Sequence, residues 1–339
     1  MLTRTDGTAP SGRFNRTRRS VAVSGETLVR TAPLTGGTRA VLVTPTVPGL
    51  DAREWLASSG GALARLRDAH GAVLLRGFAP LGAAGLAELA TGLDGGLRDY
   101  DNRSTPRRRV DGNVFTSTEY PADQTIPQHN EMSYTDAWPA TLFLTCVVPA
   151  ATGGETPVAD GARVLARLPE DTRERFERHG VMYVRNFGHG MDLSWQEVFQ
   201  TGDRAEVDAY CARHGIEAEW LGGERLRTRH VVQATLTARA TGERVWFNQA
   251  HLFHVSSLPG HVERELRAEF AEDELPRNAL YGDGTPLDPA DLARVREAYA
   301  AEEIALPWEA GDVMIVDNEQ FSHGRNPYSG DRSVLVAMA

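Results

Sequence analysis

The chain has 339 residues, 41% of them hydrophobic and 24% charged, with a formal net charge of −10. Such a chain is globular and long enough to bury a large core, in one domain or two. Its two cysteines, Cys146 and Cys211, exclude a disulfide framework and any thiolate-rich metal site, and the acidic balance argues against a nucleic-acid partner.

All 36 basic residues are arginine. Without lysine there is no Schiff base, no lysine-bound pyridoxal phosphate and no P-loop. Ten histidines and many carboxylates remain, the raw material of a nitrogen/oxygen metal site. No apolar run reaches membrane-spanning length, and no apolar stretch follows Arg13 and Arg16 as a secretory leader requires. The expectation is a soluble, cytoplasmic protein with no membrane partner.

In chain order, residues 1–37, rich in Thr, Arg, Gly and Ser, read as a flexible N-terminal arm. Residues 40–47 are β-rich. Residues 51–69 carry Trp55, Leu56, Leu63 and Leu66 at helical spacing, 71–78 form a glycine-bounded strand, and 81–93 form a helix. Residues 101–113 read as a polar loop whose Arg107, Arg108 and Arg109 are solvated; the other reading is a lid that grips an anionic substrate. From Val114 the pattern is mainly β. Strands are predicted at 141–148, 156–159, 181–187, 231–238, 244–248, 304–308, 313–316 and 333–338. Helices are predicted at 171–179, 205–213, 259–271 and 291–302. The helical stretches around 188–228 and 259–302 read as insertions. Many short strands with Gly/Pro turns predict a mainly β, α+β fold, a sandwich or barrel-like roll with flanking helices.

Three spacings carry the chemistry. His129 and Glu131 follow Pro127 at a strand edge, and in extended backbone residues two apart point the same way. The similar pair His261 and Glu263 sits on a helix, where the period separates the side chains by roughly 200°. His323 lies 194 residues after His129, beyond the buried strand 313–316, in a predicted loop. Two histidines and one carboxylate make the facial triad of non-haem Fe(II) oxygenases, which leaves coordination positions open. Finally, Thr156 follows Gly153-Gly154, and Arg332 opens the last strand. A guanidinium grips a carboxylate with two N–H groups, and a hydroxyl adds a donor.

These stretches resemble the taurine/2,4-dichlorophenoxyacetate (TauD/TfdA) dioxygenase superfamily, in its clavaminate-synthase-like and syringomycin-pathway-like amino-acid hydroxylase branch. The matching segments are VLLRGF (73–78), FTSTEYPADQTIPQHNEMSY (115–134), GGETPVADG (153–161), YVRNFG (183–188), VWFNQAHLFH (245–254) and GDVMIVDNEQFSHGRNPYSGDRSVLVAM (311–338). The resemblance implies a double-stranded β-helix, a cupin-like jelly roll. It implies His129, Glu131 and His323 as iron ligands, with Thr156 and Arg332 holding the distal carboxylate of 2-oxoglutarate and Arg325 as a competitor for that role. Fe(II), 2-oxoglutarate and O₂ are the implied cofactors. Glu131 disfavours halogenation, because related halogenases lack a carboxylate there.

Tyr134, Asn248, His251 and Arg325 are candidate substrate contacts, each with a packing or hydrogen-bonding role as the alternative. His254 has the same two readings, and Cys146 reads as inert core. The expected activity is hydroxylation of an unactivated C–H in an amino acid or amino-acid-derived substrate, free or tethered to a carrier protein, in specialised (antibiotic) metabolism. Alternatives are a sulfonate or aryloxyacetate dioxygenase, desaturation or cyclisation, and a non-catalytic jelly-roll metal-binding or sensing protein. Since the first two proposed ligands and the third come from distant segments, residues 38–339 are expected to form one domain.

Overall fold

The computed structural model describes residues 28–35, 37–99 and 107–339. Its main sheet has eight strands, in the spatial order Val29–Pro33, Val41–Pro45, Ala72–Leu75, Val313–Asp317, Thr141–Val148, Ser333–Met338, Val114–Thr116 and Arg109–Asp111. All neighbours are antiparallel except Val41–Pro45 with Ala72–Leu75. The central strands are buried on both faces, which explains their near-continuous apolar sequence. Alternate side chains divide them. Val73, Leu75, Phe143, Val313 and Ile315 pack under the helices Ala52–Ser58, Ala62–His70 and Ala83–Asp94. Ala72, Leu74, Leu142, Leu144, Met314 and Val316 face inward, toward Val158, Trp308 and Phe321.

A smaller antiparallel sheet, ordered Ile126–His129, Phe321–Arg325 and Val158–Asp160, faces that inner layer and completes the jelly roll. A third sheet, ordered Glu217–Gly222, Arg225–Val232, Val181–Phe187 and Arg277–Tyr281, builds a lobe with the helices Gly161–Arg167, Glu170–His179 and Pro289–Glu302.

Several predicted boundaries change. Residues 1–27 and 36 of the expected arm lie outside the described residues, but Val29–Pro33 is an edge strand of the main sheet. The helix predicted over 51–69 is two, broken where Gly60 and Gly61 take φ of 58° and 83°, which L side chains resist. The stretch 188–228 holds helices Trp195–Phe199 and Arg204–Arg213, but also a hairpin whose first strand, Glu217–Gly222, is an edge strand with no fully buried residue. Likewise 259–302 contains the strand Arg277–Tyr281. Residues 304–308 make one isolated bridge, Ile304 with Val158, and Pro307 has no N–H to extend it. The polar segment Ser322-His323-Gly324-Arg325 reads as loop but is a fully buried strand, its polar groups satisfied by neighbours such as Gln128, which accepts from Ser322 Oγ at 2.8 Å.

Candidate active site

His129 and His323 stand opposite each other in the antiparallel pair of the small sheet. Their rings lie 4.4 Å apart between centroids. Glu131 follows two residues on, its Oε2 at 3.8 Å from His323 Nε2. One ligand atom from each of the three lies within 4.8 Å of the others. The donor set fits a divalent transition metal. His129 Nδ1 lies 2.8 Å from the Pro127 carbonyl, so that nitrogen carries the proton and Nε2 is left as a ligand. Burial holds His129 below the usual histidine range and His323 well below it, with the Arg107 charge acting in the same direction, so both imidazoles are neutral as ligation requires.

The backbone of Glu131 is fixed by a residue the sequence reading did not single out. Asn318 is fully buried. Its Oδ1 accepts from the Glu131 N–H at 2.7 Å, and its Nδ2 donates to the carbonyls of Glu131 (3.0 Å) and Pro139 (2.8 Å). Next, Met132 takes φ of 57°, turning the chain sharply away. Asn318→Ala strands three buried backbone groups, at about 1–3 kcal/mol each. The expected result is a lower urea midpoint together with weaker Mn(II) binding; stability loss with unchanged metal affinity would show that Asn318 does not position Glu131.

Thr156 and Arg332 line the same cavity as His129 and His323. Arg332 Nη2 lies 3.5 Å from Thr156 Oγ1, and Nε donates to the Gly154 carbonyl at 2.9 Å. Glycine is required in this turn: Gly153 and Gly154 have φ of 68° and 73°, and a Cβ on Gly153 would meet the Pro327 carbonyl oxygen at 2.1 Å. Burial, and then Arg325 nearby, lower the proton affinity of Arg332, an environment that an incoming carboxylate relieves.

Arg325 also lines the cavity, but its guanidinium donates to the carbonyls of Tyr120, Pro121 and Gln124, pinning that loop. Tyr134 is buried against Tyr183 and Phe253, in a separate cavity that Arg185 and Phe187 also line. Asn248 is fully buried in a turn, donating to the Ala234 carbonyl and accepting from the Ala250 N–H. His251 donates from Nε2 to the Gln128 carbonyl at 2.9 Å, behind the strand that carries His129. His254 caps a short 3₁₀ turn through the Ser256 N–H. Tyr134, Asn248 and His251 thus stand outside the cavity of the histidine pair. Cys146 is buried, its thiol pushed up to about 11 by desolvation.

Arg107 departs furthest from its expected place. Arg108 and Arg109 pair with Glu119 and Asp99 at the exposed surface, but the Arg107 side chain is 4% exposed and donates to Glu131 Oε2 at 2.6 Å. Three consecutive arginines conceal this, since nothing local distinguishes the inward one.

His251 and His254 give the fold an acid sensitivity. Burial lowers them to about 3 and about 4, from 6.5. Below pH 6.5 the unfolded chain binds protons that the folded chain refuses, so stability falls as pH drops toward 4, by up to about 1.4 kcal/mol per unit for each group. In urea unfolding of metal-free protein at pH 7 and pH 5, His251→Gln should lose less stability than wild type; equal losses would contradict this origin.

Two histidines and a carboxylate on a jelly roll, beside a half-buried arginine and a buried threonine, form a donor set that suits a non-haem metal ion with open positions. The family model described as taurine catabolism dioxygenase TauD, TfdA family matches residues 30–338, and the chain belongs to that family of dioxygenases. It is 40% identical over 268 residues to the dapdiamide synthesis protein DdaC of Enterobacter agglomerans, covering 79% of this chain and 82% of that one. It is 32% identical over 280 residues to a clavaminate synthase-like protein of Arabidopsis thaliana, covering 79% and 81%. The solved structure of PvcB from Pseudomonas aeruginosa shares its fold, with a TM-score of 0.54 at 17% identity over 96% of this chain and 94% of that one. No helix among the described residues is long and apolar enough to cross a membrane.

Proposed function

We propose that this chain is an Fe(II)- and 2-oxoglutarate-dependent dioxygenase that hydroxylates an unactivated C–H of a small, amino-acid-derived substrate in specialised metabolite biosynthesis. The observation that carries the reading is the convergence of ligand atoms of His129, Glu131 and His323 within 4.8 Å, with both histidines lining one cavity with Thr156 and Arg332. Similarity to a dapdiamide synthesis protein supports the biosynthetic setting. Iron held by the triad with 2-oxoglutarate would supply oxidation by O₂ coupled to decarboxylation of the cosubstrate.

The protein's own groups do the rest. The neutral imidazoles of His129 and His323 and the carboxylate of Glu131 would hold the metal and leave positions for cosubstrate and O₂. Arg332 and Thr156 receive the distal carboxylate of the cosubstrate. Ile126, Leu142, Leu144 and Val336 give the cavity apolar walls, which would limit water beside the bound cosubstrate. We read residues 38–339 as one domain, because the triad joins its distant parts. A carrier-tethered substrate and a cytoplasmic setting belong to the same proposal; the two buried free cysteines support the latter.

Anaerobic titration with Fe(II) and then 2-oxoglutarate tests it. A weak visible charge-transfer band should appear with one equivalent of each. Its absence from folded protein would overturn the reading.

A further inference from the structure

We propose that Arg107 is a positioning residue for the metal centre: it holds Glu131 so that the carboxylate binds the metal through one oxygen and leaves the remaining coordination positions open. The inference rests on the triad reading above and adds a residue outside it.

The contact is specific. Arg107 Nη2 donates at 2.6 Å to Glu131 Oε2, with both side chains 4% exposed. That same Oε2 is the oxygen 3.8 Å from His323 Nε2, so the guanidinium grips the oxygen that faces His323. The guanidinium lines the cavity together with His129 and His323, and Nη1 lies 3.9 Å from the Met338 sulfur, which sets it from the side. Arg107 immediately precedes the hairpin Arg109–Asp111 and Val114–Thr116, so it reaches Glu131 from the edge of the main sheet.

A carboxylate oxygen offers two in-plane lone pairs. A guanidinium on one of them leaves the other for a metal and fixes the carboxylate plane. It also opposes a swing that would bring both oxygens onto the ion and consume a position needed by cosubstrate or O₂. Groups that orient metal ligands in this way typically change metal affinity by about 10- to 100-fold when removed. A guanidinium beside a divalent cation also repels it. The proposal is that orientation outweighs this repulsion, and the two effects have opposite signs in the experiment.

The test is Mn(II) affinity of metal-free, full-length protein, read from the electron paramagnetic resonance of free Mn(II), for wild type, Arg107→Ala, Arg107→Lys and Arg108→Ala. Arg107→Ala should bind Mn(II) about 10- to 100-fold more weakly. Arg107→Lys keeps one cationic donor and should recover part of the loss, and Arg108→Ala should match wild type. Affinity unchanged or tightened in Arg107→Ala would overturn the proposal, leaving Arg107 as a stand-in charge that the metal displaces. If Arg107→Ala does not fold, Arg107→Lys decides: its shorter reach should weaken Mn(II) binding, and wild-type affinity would refute the positioning role. Wild type that binds no Mn(II) would remove the triad reading itself, an outcome distinct from equal binding by wild type and variant.

Discussion

His129→Ala should abolish the visible band formed anaerobically by Fe(II) and 2-oxoglutarate and reduce turnover by about a thousand-fold or more, equivalent to roughly 4 kcal/mol. Loss of one triad member leaves Glu131 and His323 as two ligands, and the pair His129–His323 that lines up across the small sheet is broken. Folding should survive. The histidine is neutral, and its ring hydrogen-bonds to the carbonyl of Pro127, two residues away on its own strand. The unfolding free energy should therefore change by no more than about 1 kcal/mol. The measurements are absorbance under argon, succinate release and urea unfolding on the same preparation. A folded variant that keeps the band would show that His129 is not a ligand.

Arg332→Ala should weaken 2-oxoglutarate binding by roughly 30- to 1,000-fold, about 2–4 kcal/mol, and leave Mn(II) affinity nearly unchanged. The magnitude follows from burial. The guanidinium is half-buried, beside Thr156 and with Arg325 adding positive charge, so a carboxylate bound there meets less screening than in open water. Arg325→Ala should behave differently. Its guanidinium is committed to the carbonyls of Tyr120, Pro121 and Gln124, so its removal should loosen that loop and lower stability more than it weakens cosubstrate binding. Isothermal titration with 2-oxoglutarate on Mn(II)-loaded protein separates the two. Unchanged affinity in Arg332→Ala would transfer the clamp to Arg325.

The apolar periodicity of 72–75, 141–148, 313–317 and 333–338 was readable because these strands are buried on both faces. His323 was misplaced in a loop because its neighbours are polar, and only their partners across the small sheet make burial tolerable. The same limit hides Asn318. Its importance lies in three hydrogen bonds to segments about 180 residues earlier, and no local pattern announces them. Tyr134 illustrates the converse. Proximity in sequence to Glu131 suggested the cavity wall, but the left-handed turn at Met132 sends the chain into a different core.

What the sequence determined by itself was the chemistry. His129 and Glu131 two apart in extended chain, a distant histidine after a buried strand, and a threonine and arginine beside glycine turns point to the nitrogen/oxygen metal site with an anion clamp proposed above, because strand periodicity and donor chemistry are local properties. The tertiary structure alone decided which of several identical side chains stand beside that cavity. Arg107 turns inward while Arg108 and Arg109 face water, and Arg332 meets Thr156 while Arg325 is spent on carbonyls. A guanidinium's role depends on the dielectric and the partners around it, and both are set by segments far away in the chain.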